Sequence, residues 1–329
     1  MVKKSVCIIS ILCLIGIAGL ALNTSDALAK TQFISIGTGG TGGVYYPYGG
    51  GLAEIWTKYV KGVKAVAEVT GASVENVRLA DKGETVVGLV MGDVAYQAYY
   101  ADGRFKGKPQ KIYAMFMMYP NLYQVVVLKD SGIKSIYDVK GKNVSVGSPG
   151  SGTEFMTNLV FEALGIPYSE FKVHRLSFVE NANALHDKTI DVGIWCVAPG
   201  TSSIMDLATT HSIEIIPFTP EEQKKVCDKY TFYAPFDVPA GTYNGIDKPV
   251  PTVSVWNVVI CTQGLSDDLV YNLTKTVFEH QKYLMQIHPF AKYTTPENAI
   301  KTSPIPFHPG AVKYFKEIGL TVPPRLMPK

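Results

Sequence analysis

Two short runs of glycine and hydroxyl residues are the best-placed groups for chemistry in this chain. Gly37-Thr38-Gly39-Gly40-Thr41-Gly42-Gly43 carries five glycines in seven residues, and Ser148-Pro149-Gly150-Ser151-Gly152-Thr153 combines glycines with hydroxyls. Each follows a β-branched run and precedes a helical pattern. Glycine lets the backbone approach a bound group closely, and the start of a helix offers N–H groups with no partner inside the helix. The chemistry that follows is capture of an anion by backbone amides and hydroxyls. Either run alone could be a tight strand-to-helix turn, which is a common use of glycine. Two of them, far apart in sequence, suit a solute held from two sides.

Catalytic signatures do not accompany these runs. The sequence contains no G-x-S-x-G, no G-x-x-x-x-G-K-[ST] and no paired-histidine motif, so nucleophilic, phosphate-loop and zinc chemistry lack support. The six histidines, at 174, 186, 211, 280, 288 and 308, show no i, i+4 pair. Gly37, Gly39 and Gly42 do spell G-x-G-x-x-G, and Glu68 could serve as a ribose acid. The bulky Val44-Tyr45-Tyr46-Pro47-Tyr48 that follows would crowd the close helix-on-strand packing of a dinucleotide fold. No cofactor and no metal are expected.

The candidate ligand-binding residues are Thr38, Gly39 and Tyr45 at the first run, with Ser73 and Asn76 three apart at the next helix start. Asp93, Tyr96 and Gln97 open the following helix and could hold an ammonium or order a water. Ser148, Ser151, Gly152 and Thr153 come from the second run, and Trp195 supplies an apolar wall. Plainer roles compete: Ser73 and Asp93 as N-caps, Tyr96 and Trp195 as packing. Only four arginines occur, at 78, 104, 175 and 325, and none lies in either run. A carboxylate would therefore rest on amides and hydroxyls unless Arg78 reaches in.

Positioning these groups requires an α/β frame. Strands are expected at residues 33–36, 63–69, 85–90, 112–118, 123–128, 143–147, 190–196, 213–216 and 252–261. Helices are expected at residues 45–60, 73–82, 93–101, 152–164, 178–187 and 202–210. A further helix starts at Thr219-Pro220-Glu221-Glu222, and another runs from Ser266 to about residue 284. Alternation of this kind predicts parallel sheets covered by helices. The long runs at 123–128 and 252–261 bracket a central block, as in a chain that leaves one lobe, builds a second and returns. The expected fold is a bilobal periplasmic-binding-protein-like α/β fold, two lobes with central sheets joined by two crossing strands around a cleft. Residues 30–120 and 252–329 form the first lobe and residues 121–251 the second.

At the N-terminus, Lys3-Lys4, the apolar run 5–22 and Ala27-Leu28-Ala29 have the order of a secretory signal peptide, cleaved after Ala29. A membrane anchor is the rival, since the run is near the minimum spanning length. Leu12-Cys13 lacks the small residue that lipid attachment at that cysteine would need. The full chain carries 31 basic and 28 acidic side chains, a net of +3. Removing Lys3, Lys4 and Asp26 leaves +2, too small a field to attract nucleic acid. Cys196, Cys227 and Cys261 then remain, too few for a disulfide framework, and buried packing is their expected role.

Several segments, in order, resemble the TAXI family of TRAP-transporter solute-binding proteins. They are Ile36-Gly37-Thr38-Gly39-Gly40-Thr41-Gly42-Gly43-Val44-Tyr45-Tyr46-Pro47, Gly71-Ala72-Ser73-Val74-Glu75-Asn76 and Gly92-Asp93-Val94-Ala95-Tyr96. Asp130-Ser131-Gly132-Ile133-Lys134-Ser135, Asp138-Val139-Lys140-Gly141-Lys142 and Ser148-Pro149-Gly150-Ser151-Gly152-Thr153-Glu154 follow. Asp206-Leu207-Ala208-Thr209-Thr210 and Val238-Pro239-Ala240-Gly241-Thr242-Tyr243 complete the set. The resemblance implies a periplasmic protein that is not an enzyme and that takes up a small anionic solute, an amino acid or 2-oxo acid such as glutamate, glutamine or 2-oxoglutarate. It also implies delivery of that solute to the membrane permease subunits of a TRAP-type secondary transporter. Family members often carry a Val-Gly-Gly turn after an aromatic near Trp195, where this chain has Cys196-Val197-Ala198-Pro199-Gly200, so the ligand stays open. An input protein for a membrane sensor would share the fold, and a secreted enzyme is the remaining alternative.

Overall fold

The computed structural model describes residues 31–328. The signal-peptide reading, its cleavage after Ala29, and Cys7 and Cys13 lie outside the described residues. In chain order the main elements are β1 (Gln32–Gly37), α1 (Tyr45–Tyr59), β2 (Val63–Glu68), α2 (Ser73–Lys82), β3 (Val87–Met91), α3 (Gly92–Tyr100) and β4 (Ile112–Leu128). Next come β5 (Asn143–Ser145), α4 (Gly152–Leu164), β6 (Lys172–His174), α5 (Phe178–His186), β7 (Val192–Val197), α6 (Ser202–Thr210), β8 (Ile213–Ile215) and α7 (Pro220–Lys229). The chain closes with β9 (Tyr233–Val238), β10 (Val250–Thr262), α8 (Asp267–Glu279), α9 (Gln281–Ile287), α10 (Pro296–Thr302) and α11 (Pro309–Glu317).

The strands join in the order β2-β1-β3-β10-β4-β7-β5-β6, with β8 on β4 and β9 on β10. β1 and β3 run parallel, as do β5 with β6 and β5 with β7. The long strands β4 and β10 run antiparallel and hold the two groups together. β10 pairs with β3 through residues 257–261 and with β9 through residues 250–255. β4 pairs with β10 through residues 112–122, then with β7 and β8 beyond that point. Two parallel clusters therefore share one curled sheet through a pair of crossing strands.

Burial explains why these segments become strands. Every residue of β4 and of β3 is buried, as expected for strands covered on both faces. Helix ends carry the chemistry that fixes them. Thr219 caps α7 in a full capping box with Glu222, with proline just inside the helix, and Ser266 caps α8. The three described cysteines are free, with Cys196 and Cys261 buried.

Two expectations are corrected. Residues 112–118 and 123–128 read as separate strands because Pro120-Asn121 marks a break, yet β4 runs unbroken from Ile112 to Leu128. Pro120 lies opposite Trp256, next to the register irregularity between Trp256 and Val258, where a missing N–H disturbs the ladder least. The helix expected from Ser266 to about residue 284 divides into α8 and α9. His280 leaves helical geometry there (φ −115°, ψ 21°), and its Nδ1 lies 2.9 Å from the Thr276 carbonyl oxygen. Strands β6 and β9 and helices α10 and α11 were not foreseen.

Candidate ligand cleft

Six strands end on one cavity. Gly39, Gly40, Gly43, Val44 and Tyr45 reach it after β1, and Thr70, Gly71, Ala72 and Ser73 after β2. Met91 ends β3, and Asn121 comes from the middle of β4. Ser148, Ser151, Gly152 and Thr153 follow β5, Ser177 and Phe178 follow β6, and Cys196 and Val197 end β7. In α/β sheets, ligands sit in this position, outside the carboxyl ends of the strands. No acidic, basic or histidine side chain is among the lining residues.

The cavity wall is built from helix starts. Val44, Ala72, Met91, Ser151 and Ser177 occupy the N-cap positions of α1, α2, α3, α4 and α5. All five line the cavity. Ser151 Oγ accepts from the Glu154 amide at 3.1 Å and Ser177 Oγ from the Glu180 amide at 3.4 Å. Val44, Ala72 and Met91 offer no capping side chain. A helix start carries roughly half a positive charge on its open amides. Five such ends set backbone amides around a wall that itself carries no charged side chain, and Glu75, Asp93, Glu154 and Glu180 stand in the first turns of α2, α3, α4 and α5. Helix starts grouped in this way are a common anion-binding arrangement in proteins.

The two clusters touch at this cavity. Thr201 Oγ1 donates to the Gly42 carbonyl at 3.2 Å, and the Val74 amide donates to the Gly150 carbonyl at 3.1 Å. Gly152 sits so near Met91 Sδ and Ser73 Oγ that a Cβ there would collide with both. A Cβ on Gly42 would meet Val179 Cγ2 at 2.6 Å. At the rim, Arg104 reaches Glu154 at 3.3 Å and Arg175 reaches it at 2.9 Å. Burial works against the charge of Glu154, but the two guanidiniums and the Gly150 amide outweigh it and hold its carboxyl below the usual range.

The structure divides the sequence candidates into two sets. Gly39, Tyr45, Ser73, Ser148, Ser151, Gly152 and Thr153 all line the cavity. Tyr45 donates through its hydroxyl to Asn257 Oδ1 at 2.6 Å, and Ser73 Oγ accepts the Met91 amide at 3.1 Å. Thr153 Oγ1 accepts the Cys196 amide at 3.2 Å. The remaining candidates lie elsewhere. Thr38 is buried behind its loop, with Oγ1 donating to the Glu68 carbonyl at 2.6 Å. Asn76 clamps that same loop, its Nδ2 donating to the carbonyls of Gly37, Thr38 and Leu89 at 3.0, 2.7 and 2.8 Å. Gln97 accepts the Arg104 amide at 3.1 Å. Tyr96 packs on Tyr100 and Phe232 in a separate surface depression, while Trp195 stacks behind Phe178 and donates to Ser203.

Asp93 is fully buried one layer behind the wall. Tyr233 donates to its Oδ2 at 2.7 Å and the Val94 amide to its Oδ1 at 2.8 Å. Among the described residues no cation pairs with it, and burial pushes its carboxyl up to about 7 against those two hydrogen bonds.

Sequence reasoning missed Asn121, Thr70, Ser177, Phe178 and Cys196. Ser177-x-x-Glu180 does announce a helix start, but its approach to the cavity depends on β6, three residues long and without a pattern. Asn121 read as a turn marker beside Pro120.

The chain belongs to the NMT1-like family, whose model matches residues 36–319. Its fold is periplasmic-binding-protein-like. A putative L-cystine ABC transporter protein from Listeria monocytogenes superimposes with a TM-score of 0.51 at 14% identity, covering 80% of this chain and 98% of its own. A chain from the Streptococcus mutans system that imports glutathione via GshT and the cystine ABC importer TcyBC gives 0.51 at 14% identity, covering 80% and 96%. At such identities the likeness is one of fold. Among the described residues, no helix is long and apolar enough to cross a membrane, and no group of His, Cys, Asp or Glu could hold a metal ion.

Proposed function

We propose that this chain is an extracytoplasmic solute-binding protein that captures a small carboxylate in the cavity between two lobes. The lobes are residues 30–120 with 252–329, and residues 121–251, moving about β4 and β10. The observation that carries this reading is the convergence of five helix N-termini on a cavity whose wall holds no charged side chain. Gly39 and Ser73 present one side of the cavity, and Ser148, Ser151, Gly152 and Thr153 the other. A ligand that touches both sides favours the closed arrangement by its differential affinity. Closure then forms a surface for a membrane partner to recognise. The family match and the shared fold support solute binding, and the TAXI-like segments support delivery to a TRAP-type permease. Candidate ligands are glutamate, glutamine and 2-oxoglutarate. The reading is of binding without turnover.

A thermal-shift screen of ligand-stripped residues 30–329 against amino acids, 2-oxo acids and dicarboxylates tests it. A solute that binds only the folded chain at 100 times its Kd stabilises by about 2.7 kcal/mol, a clear rise in melting temperature. If no small carboxylate shifts the melting temperature, the solute-capture reading fails.

A further inference from the structure

Gly42 and Gly43 end the first glycine run, and neither has the positive φ that favours glycine. What demands glycine here is space. A Cβ on Gly42 would lie 2.6 Å from Val179 Cγ2 and 3.5 Å from Ser203 Cβ, and one on Gly43 would lie 3.0 Å from Phe178 Cδ2. These three neighbours stand at the starts of α5 and α6, across the seam from the run. The other half of the run is different. Gly39 and Gly40 line the cavity, and the atoms nearest a Cβ on Gly39 belong to Ala72 and Tyr45 of its own cluster. A Cβ on Gly40 would meet nothing within 4 Å. Gly42 is absent from the cavity wall.

The notch that receives Gly42 is built for it. Thr201 occupies the N-cap position of α6, yet its side chain makes no capping bond. A threonine in that position ordinarily accepts from an amide of its own helix. Here Oγ1 instead donates across the seam to the Gly42 carbonyl at 3.2 Å, in a site where Thr201 is 1% exposed. Trp195 braces both helix starts from behind. Its ring stacks on Phe178 with centroids 6.2 Å apart, and its Nε1 donates to Ser203 Oγ at 3.2 Å.

We propose that Gly42 and Thr201 form a clasp between the lobes: Gly42 touches no ligand, but seats in the notch between α5 and α6 on closure, and the Thr201 hydroxyl holds it there. This rests on the two-lobed solute-binding reading and assigns positioning residues within it. A contact made only in the closed state adds its whole free energy to closed over open. Ligand affinity and residence time therefore follow the clasp, although neither residue meets the ligand.

The test is calorimetry and stopped-flow displacement with glutamate, glutamine and 2-oxoglutarate on the parent, Gly42→Ala, Val179→Ala, their double variant and Thr201→Val. For the tightest-bound of the three probes, Gly42→Ala should raise Kd at least tenfold, mainly through faster dissociation. The ligand-free variant should melt within about 2 °C of the parent, because open lobes leave room for the methyl group. Val179→Ala removes the colliding methyl group, so the double variant should bind within about threefold of Val179→Ala alone. Thr201→Val loses one hydrogen bond and should raise Kd about three- to tenfold. An unchanged Kd in Gly42→Ala overturns the clasp while leaving solute capture standing. So does a loss of affinity that comes with an equal loss of ligand-free stability and is not rescued by Val179→Ala, since the contact is then fixed packing. If none of the three probes binds the parent, the solute-binding reading falls and takes the clasp with it.

Discussion

Gly152 shows how a single hydrogen can decide whether the cavity forms. A methyl group there would meet Met91 Sδ and Ser73 Oγ across the seam between the clusters. Gly152→Ala should therefore weaken ligand binding at least tenfold in calorimetry, because closure is blocked, while overpacking costs only about 1–3 kcal/mol of stability. Asp93 makes a prediction about pH. The groups that face it are the Tyr233 hydroxyl, the Val94 amide and, at longer range, Cys196 and Tyr45. Its folded-state value of about 7 lies above the ordinary carboxylate value of 3.8. Between those limits the unfolded chain has lost the proton that the folded chain keeps. Stability therefore falls as pH rises from about 4 to about 7, by at most about 4 kcal/mol from this group. In urea titrations from pH 5 to pH 8, Asp93→Asn should flatten that decline, and an unchanged slope would show that Asp93 is not its source.

The elements bring these residues together in ways that local pattern reveals unevenly. The order of strands and helices through β3 and α3 was legible, because β-branched runs, glycine turns and capping boxes act over a few residues. Strand β4 was not, because Pro120 signals a break locally, whereas pairing on both sides carries the strand through it. The glycine loops were legible as strand-to-helix turns, and seven of the candidate residues in and near them line the cavity. Asn76 was misplaced for a physical reason: a polar residue at a helix start can serve a ligand or the adjacent loop equally well. Here it ties β1 to β3. Asn76→Ala would leave three buried carbonyls without their donor and should cost roughly 2–4 kcal/mol, read as a lower urea midpoint. The rim pair is a weaker element. Arg104 is partly exposed and Glu154 keeps Arg175 as a second partner, so Arg104→Ala should weaken ligand binding by no more than about fivefold, near 1 kcal/mol. A larger loss in calorimetry would mean that Arg104 does more than tie the rim.

At the scale of the whole molecule, two parallel α/β clusters hang on two crossing strands and meet where their helices begin. That geometry gathers amides from both clusters around one small volume, and capture of an anion, as proposed, would rest on those amides. If these amides hold the ligand, backbone amide NMR reads the contacts one by one. The measurement is a titration of ¹⁵N-labelled residues 30–329 with the solute giving the largest thermal shift. The amide signals of Gly39, Gly40, Ser73, Gly152 and Thr153 should move together and saturate at one Kd. Saturable shifts confined to a different surface, such as the depression formed by Tyr96, Phe232 and Arg325, with these five amides unmoved, would contradict it.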